Sequence, residues 1–71
     1  PLDDVTGRFF VRIKKDAAEE AKKVFGEIEV ICLEQLPEEC AFITAEMTQG
    51  EFKEKLTKIE SQVLAKIRVK D

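Results

Sequence analysis

Apolar and polar residues alternate along residues 8–14, where Phe9, Val11 and Ile13 occupy one side and basic residues occupy most of the other. A period of two predicts a half-buried β-strand. Phe10 interrupts the pattern because it places an aromatic ring on the polar side. We therefore expect another surface to cover part of that side.

Two helices are predicted downstream of this strand. Asp16 precedes Glu19 by three residues, the spacing of a capping box, and Gly26 supplies a stop signal. The apolar residues at helical spacing in this first helix are Ala17, Ala21, Val24 and Ile28. Thr48 and Glu51 form a second capping box. The predicted buried face of the second helix is formed by Phe52, Leu56 and Ile59.

Three further strands are predicted. Residues 29–36 include the continuous apolar run 30–33, which is typical of a strand that is contacted on both faces. Residues 40–45 follow a turn at 37–39 and return as the hairpin partner. Residues 63–69 form the last predicted strand, and the residues expected to point inward are Val63, Ala65, Ile67 and Val69.

The order of these elements is βαββαβ, so the predicted fold class is α+β. We expect a ferredoxin-like fold, in which two helices cover one face of a four-stranded antiparallel sheet. Residues 1–7 are interpreted as a linker and residues 8–71 as the domain. Because the chain begins with Pro1, we expect it to be excised from a longer chain, although initiator removal would leave the same start.

Charge and hydropathy limit the partners. The 71 residues carry a net charge of −3, and their basic residues do not cluster obviously along the chain, so we expect no nucleic-acid partner. No apolar run is long enough to span a membrane, and no basic and apolar leader opens the sequence. We therefore expect no membrane partner and a cytoplasmic location.

Candidate chemistry is sparse. The chain has no His, Trp or Tyr, so the usual proton shuttle and the commonest metal ligand are both missing. Neither a Ser-His nor a Cys-His nucleophilic pair can form. We expect no catalytic residue, no metal site and no cofactor, and hence a chain that is not itself an enzyme.

Two cysteines lie at equal distances from the middle of the predicted hairpin. With a turn centred near Leu36, Cys32 and Cys40 face each other across the strands. We favour buried structural thiols, since an intracellular setting keeps thiols reduced. A disulfide or redox role is the alternative, and a metal site is the least favoured reading because no His or CxxC accompanies them.

A second hypothesis concerns the first strand. Arg8, Arg12 and Lys14 with Phe10 have the composition of a nucleic-acid-binding sheet, in which aromatic rings stack on bases between cations. An RNA-recognition motif also needs a basic residue in its third strand, and residues 40–44 carry none. A free-standing interaction or nucleic-acid-binding module is therefore kept only as the alternative function.

Three runs resemble the ACT domains that regulate amino-acid metabolism, and most closely the C-terminal ACT domain of homoserine dehydrogenases. They are residues 7–13, with Arg8 before two aromatic residues, residues 24–30 around Gly26, and residues 64–69. The resemblance implies a regulatory module attached to the catalytic domain of a parent enzyme. It points to the aspartate pathway, with homoserine dehydrogenase or threonine synthase as the parent.

The resemblance also implies an effector site. ACT domains place Asp-x-Pro-Gly between the first strand and first helix, and the glycine admits an amino acid to the helix amides. Here Asp16 matches, but Ala17, Ala18 and Glu19 replace the rest. These four residues are the candidate effector site, and a purely structural version of the domain is the alternative.

The resemblance further implies pairing between copies at the second strand of the fold. The candidate edge is formed by Val30, Ile31, Cys32 and Leu33, and an exposed apolar edge favours pairing on physical grounds as well. Phe10 and Phe42 are expected on the sheet face away from the helices, where they add to a contact with the parent protein. We therefore expect a homo-oligomer that forms through this edge strand.

Overall fold

The computed structural model describes residues 4–69 and has an α+β architecture. Its strands are β1 (Thr6–Gly7), β2 (Phe9–Lys14), β3 (Ile31–Cys32), β4 (Glu39–Ile43), β5 (Met47–Thr48) and β6 (Val63–Arg68). Its helices are α1 (Ala18–Phe25) and α2 (Gln49–Leu56), and 3-10 helices follow β2 at Lys15–Ala17 and α2 at Thr57–Gln62. The predicted α+β class is confirmed.

Four of the strands form an antiparallel sheet in the order β3-β4-β2-β6. The remaining two, β1 and β5, form a separate two-stranded antiparallel pair. Thr6 and Gly7, which belong to the predicted linker, therefore form a strand that pairs with β5. Residues 1–3 of the linker and residues 70–71 of the predicted domain lie outside the described residues, and the linker and domain boundaries stay predictions.

The core lies between the sheet and the two helices. The sheet contributes Phe9, Val11, Ile13, Cys40 and Phe42, and the helical segments contribute Ala17, Ala21, Phe25, Phe52, Leu56 and Ile59. Phe9 and Phe52 stack with ring centroids 4.0 Å apart, and Phe25 contacts both Phe42 and Phe52. The predicted inward sides of the first strand and second helix are confirmed.

The helix ends differ in how they are capped. Thr48 accepts a hydrogen bond from the Glu51 amide through its hydroxyl at 3.1 Å, which confirms the predicted start of α2. Asp16 does not cap α1, because it lies within the 3-10 helix and no side chain caps either helix there. Gly26 ends α1 with a φ of 76°, as its stop signal predicts.

The side-chain directions predicted for the last strand are partly wrong. Arg12 pairs with Ala65 whereas Ile13 pairs with Val63, so Leu64 is an extra residue in β6. One extra residue reverses which face the following side chains occupy. Val63 packs against the core as predicted, but Ala65 and Ile67 lie on the opposite face of the sheet.

The middle of the chain also departs from prediction. The strand predicted over residues 29–36 is reduced to β3, which consists of Ile31 and Cys32 and lies exposed at the sheet edge instead of being contacted on both faces. The chain leaves β4 at Ile43, earlier than predicted, and forms the unpredicted strand β5. Met47 is buried there, so its side chain anchors this short strand in the core.

Candidate functional site

The face of the sheet opposite the helices is a mostly apolar surface, which we call the open sheet face. Its residues are Phe10, Arg12, Lys14, Ile31, Glu39, Ala41, Ile43, Ala65 and Ile67. The register aligns Ile43, Phe10 and Ile67 in one row across β4, β2 and β6. Ile31 and Ile67, at opposite edges, remain 54% and 65% exposed. No helix in residues 4–69 covers this face.

Leu33 and Leu36 extend the apolar surface beyond β3. Both are about half exposed, and they line a small cleft of about 110 Å³ together with Phe10, Ile31 and Ala41. Large apolar side chains that are exposed next to one another commonly mark a contact surface. The open sheet face and the hairpin tip therefore form one continuous candidate interface.

Arg12 is engaged by a carboxylate on this face. Its guanidinium donates to the Glu39 carboxylate through two nitrogens, at 2.6 and 3.1 Å. This pairing partly neutralises the cation that a phosphate backbone would contact. β4 adds Ala41 and Ile43 to the same face instead of cations. The nucleic-acid hypothesis gains no support from this geometry.

Phe42 was expected on the open sheet face, and this expectation is wrong. It pairs with Val11, is 2% exposed, and packs against Phe25 with ring centroids 5.2 Å apart. Phe10 does lie on the open face, where it is half-buried. The face of Phe42 is decided by its pairing with the core residue Val11, because residues directly opposite each other on neighbouring strands lie on the same face.

The two cysteines form a disulfide instead of remaining thiols. Cys32 pairs with Cys40 across β3 and β4, as the predicted hairpin register requires, with their Cα atoms 4.2 Å apart. Cys40 is 3% exposed, whereas Cys32 is exposed at the edge strand. The favoured interpretation as free structural thiols is therefore wrong, and the alternative pairing is the one observed.

The predicted oligomerisation edge lies at one margin of the sheet. β3 is an edge strand, and within residues 4–69 it has β4 as its single strand neighbour. Ile31, Cys32 and Leu33 are exposed there, while Val30 is partly buried against the core. Three of the four candidate residues are thus accessible to a partner, and the pairing itself stays a prediction.

The candidate effector residues surround the start of α1. Asp16 and Glu19 are exposed, Ala18 is half-buried, and Ala17 is buried in the core. The Ala18 amide donates to the Lys15 carbonyl, so the 3-10 helix already occupies one amide that an effector would need. Glu19 lies 3.8 Å from Lys22, its neighbour along the helix. Effector binding at these residues stays a prediction.

A solvent-open cleft of about 320 Å³ borders the same segment. Asp16, Ala17 and Glu20 line one side, and the 3-10 helix after α2 lines the other with Lys58, Ile59, Ser61 and Gln62. The volume is at the lower end of small-molecule sites. The carboxylates of Asp16 and Glu20 suit the amino group of a free amino acid, and the ammonium group of Lys58 suits its carboxylate. Lys58 and Gln62 were missed by sequence reasoning, because the chain alone does not show that they face Asp16.

A second unpredicted feature is the opposite edge of the sheet, at β6. Lys66 and Arg68 pair in register with Val11 and Phe9, so both cations lie on the helix side of the sheet. Together with Lys53 they border a cleft of about 170 Å³ beside the stacked ring of Phe52. The prediction that Ile67 points inward placed Lys66 and Arg68 on the opposite face of the sheet. The extra residue in β6 reverses these directions and brings both cations to the helix side.

Neither the protein-family models nor the curated proteins compared with this chain give a match. Across residues 4–69, no helix has the length and apolar character needed to cross a membrane. The same part of the chain holds no group of three or more His, Cys, Asp or Glu residues placed to bind a metal ion.

Proposed function

We propose that this chain is a non-catalytic regulatory and oligomerisation module with an ACT-like, ferredoxin-like fold. Its parent is an amino-acid biosynthesis enzyme of the aspartate pathway, of the homoserine dehydrogenase or threonine synthase type. The observation that carries the proposal is an apolar open sheet face continuous with the exposed edge strand β3. Such a surface suits contact with protein.

The strand order supports the fold part of the proposal. In a split βαβ arrangement the first and third main strands lie in the centre, and the second and fourth lie at the edges. Here β2 and β4 are central, and β3 and β6 are the edges, with every neighbouring pair antiparallel. Both helices supply core residues to the same sheet face as Phe9 and Val11.

Regulation would act by thermodynamic linkage. An amino acid that binds one arrangement of paired modules better than another shifts the parent enzyme by that difference, typically about 1–3 kcal/mol. The cleft between Asp16 and Lys58 borders both the start of α1 and the 3-10 helix after α2. An effector held there would contact both helical segments and could change how they pack on the sheet.

The effector part of the proposal is tested by a two-dimensional NMR titration of the domain with threonine, serine, methionine, lysine and isoleucine. We expect one of them to give saturable shifts at Asp16, Glu20 and Lys58. A Lys58→Gln variant should lose those shifts, whereas the matched Lys23→Gln variant on the exposed side of α1 should keep them. Absence of saturable shifts with all five amino acids would refute effector binding and leave an assembly module.

A further inference from the structure

Charge is segregated along the chain. Residues 24–52 contain no Lys or Arg. The acidic residues of this segment are Glu27, Glu29, Glu34, Glu38, Glu39, Glu46 and Glu51. All twelve basic residues of the protein lie before or after it. The middle of the chain is therefore uniformly acidic, although the net charge of the whole protein is only −3.

The fold converts this segregation along the chain into a difference between the two edges of the sheet. β3 lies within the acidic segment at one edge, flanked by the exposed residues Glu29 and Glu34. β6 lies at the other edge and carries the exposed cations Lys66 and Arg68. One margin of the sheet is thus acidic and the other is basic.

Strand direction makes these edges compatible with each other. Each neighbouring pair in β3-β4-β2-β6 is antiparallel, so β3 and β6 run in opposite directions. A second copy related by simple translation across the sheet would therefore bring its β6 antiparallel to β3. Its helices would remain on the same side, and Ile31 would continue the open sheet face toward Ile67 of the next copy.

We propose that the chain assembles head to tail, with the acidic β3 edge of one copy pairing with the basic β6 edge of the next. The proposal specifies the oligomerisation surface and therefore depends on the proposed function. Pairing two β3 edges would instead bring Glu29 and Glu34 of both copies together, and like charges in contact oppose association. A head-to-tail contact leaves one edge free at each end, so the assembly either closes into a ring or grows.

The proposal is tested by sedimentation velocity on a Lys66→Glu variant. We expect its self-association to weaken roughly tenfold relative to the wild type, because a favourable charge pair becomes a repulsive one. Lys23→Glu, which makes the same charge change on α1, is the matched control and should associate like the wild type. Circular dichroism checks that both variants are folded.

A mixing experiment separates the two possible pairings. Glu29→Lys makes the β3 edge less acidic and should weaken association, while the control Glu60→Lys should not. Mixing Glu29→Lys with Lys66→Glu should restore association between unlike copies, because the unchanged β3 edge of the Lys66→Glu copy pairs with the unchanged β6 edge of the Glu29→Lys copy.

The outcomes distinguish the inference from the function on which it rests. If the wild type associates and Lys66→Glu associates equally well, the β6 edge is not the contact and the head-to-tail arrangement is refuted. If the wild type itself stays monomeric, the oligomerisation function is refuted together with the arrangement.

Discussion

Phe9 and Thr44 are joined by two hydrogen bonds of different kinds. The Thr44 amide donates to the Phe9 carbonyl at 2.9 Å, while the Phe9 amide donates to the Thr44 hydroxyl at 3.0 Å. The hydroxyl in turn donates to the Ala45 carbonyl at 2.9 Å. The Thr44 side chain therefore continues the hydrogen bonding between β2 and β4 by one residue beyond the end of β4 at Ile43.

This arrangement predicts that Thr44→Val destabilises the domain by about 1–3 kcal/mol, because the buried Phe9 amide loses its acceptor. The measurement is urea denaturation followed by circular dichroism. Thr44→Ser retains the hydroxyl and loses one methyl group, so it should cost about 0.8 kcal/mol. A Thr44→Val variant as stable as the wild type would show that the hydrogen bonds of this hydroxyl contribute nothing to stability.

The stacked pair Phe9 and Phe52 is predicted to anchor α2 to the sheet. Phe52→Leu should lower the free energy of unfolding by about 1–2 kcal/mol, since it removes the ring contact and leaves a small cavity. Phe10→Leu, the same change on the open sheet face, should cost less than about 0.5 kcal/mol. A greater loss for Phe10→Leu than for Phe52→Leu would contradict the assignment of Phe52 to the core.

The disulfide is predicted to stabilise the hairpin that carries β3. Its cysteines are separated by 8 residues, for which chain entropy predicts a contribution of about 2.5 kcal/mol. Adding a dithiol to the wild type should lower its urea midpoint accordingly. The double variant Cys32→Ala and Cys40→Ala should start at a lower midpoint and not respond to the dithiol. A wild-type midpoint that is the same with and without reductant would contradict this prediction.

Gly26 adopts φ 76° and ψ −127°, a conformation available almost only to glycine. Gly26→Ala should therefore destabilise the domain by about 1–3 kcal/mol, although a Cβ would meet no neighbouring atom within 4 Å. Gly26→Asn should be no better, because the ψ angle lies outside the left-handed helical region that asparagine tolerates. A full rescue by asparagine would show that the backbone at this position relaxes.

Local patterns were sufficient to predict much of the fold. The alternation around Phe9, the N-cap at Thr48 and the stop at Gly26 each depend on neighbours within a few residues, and each is confirmed. The hairpin register that brings Cys32 to Cys40 was also predicted from spacing alone, although their bonded state was not.

The unpredicted features depend on long-range pairing. Leu64 is an extra residue only relative to β2, so no pattern within residues 63–69 shows that Ile67 faces outward. Likewise the pairing of Phe42 with Val11 decides that Phe42 is buried. The acidic segment 24–52 is visible in the sequence. That it makes one edge of the sheet acidic and leaves the other basic follows only from the sheet order, which places β3 and β6 at opposite edges.

The central claim is that this domain is an assembly module, and its mass in solution tests that claim most directly. Sedimentation velocity should be run on the oxidised protein from about 10 µM to about 1 mM, a range that covers weak association. We predict species of at least twice the 8.1 kDa chain mass at the upper end. Their association should weaken in about 1 M salt, where the charges of the two edges are screened. A single 8.1 kDa species at every concentration and in low salt would contradict the account.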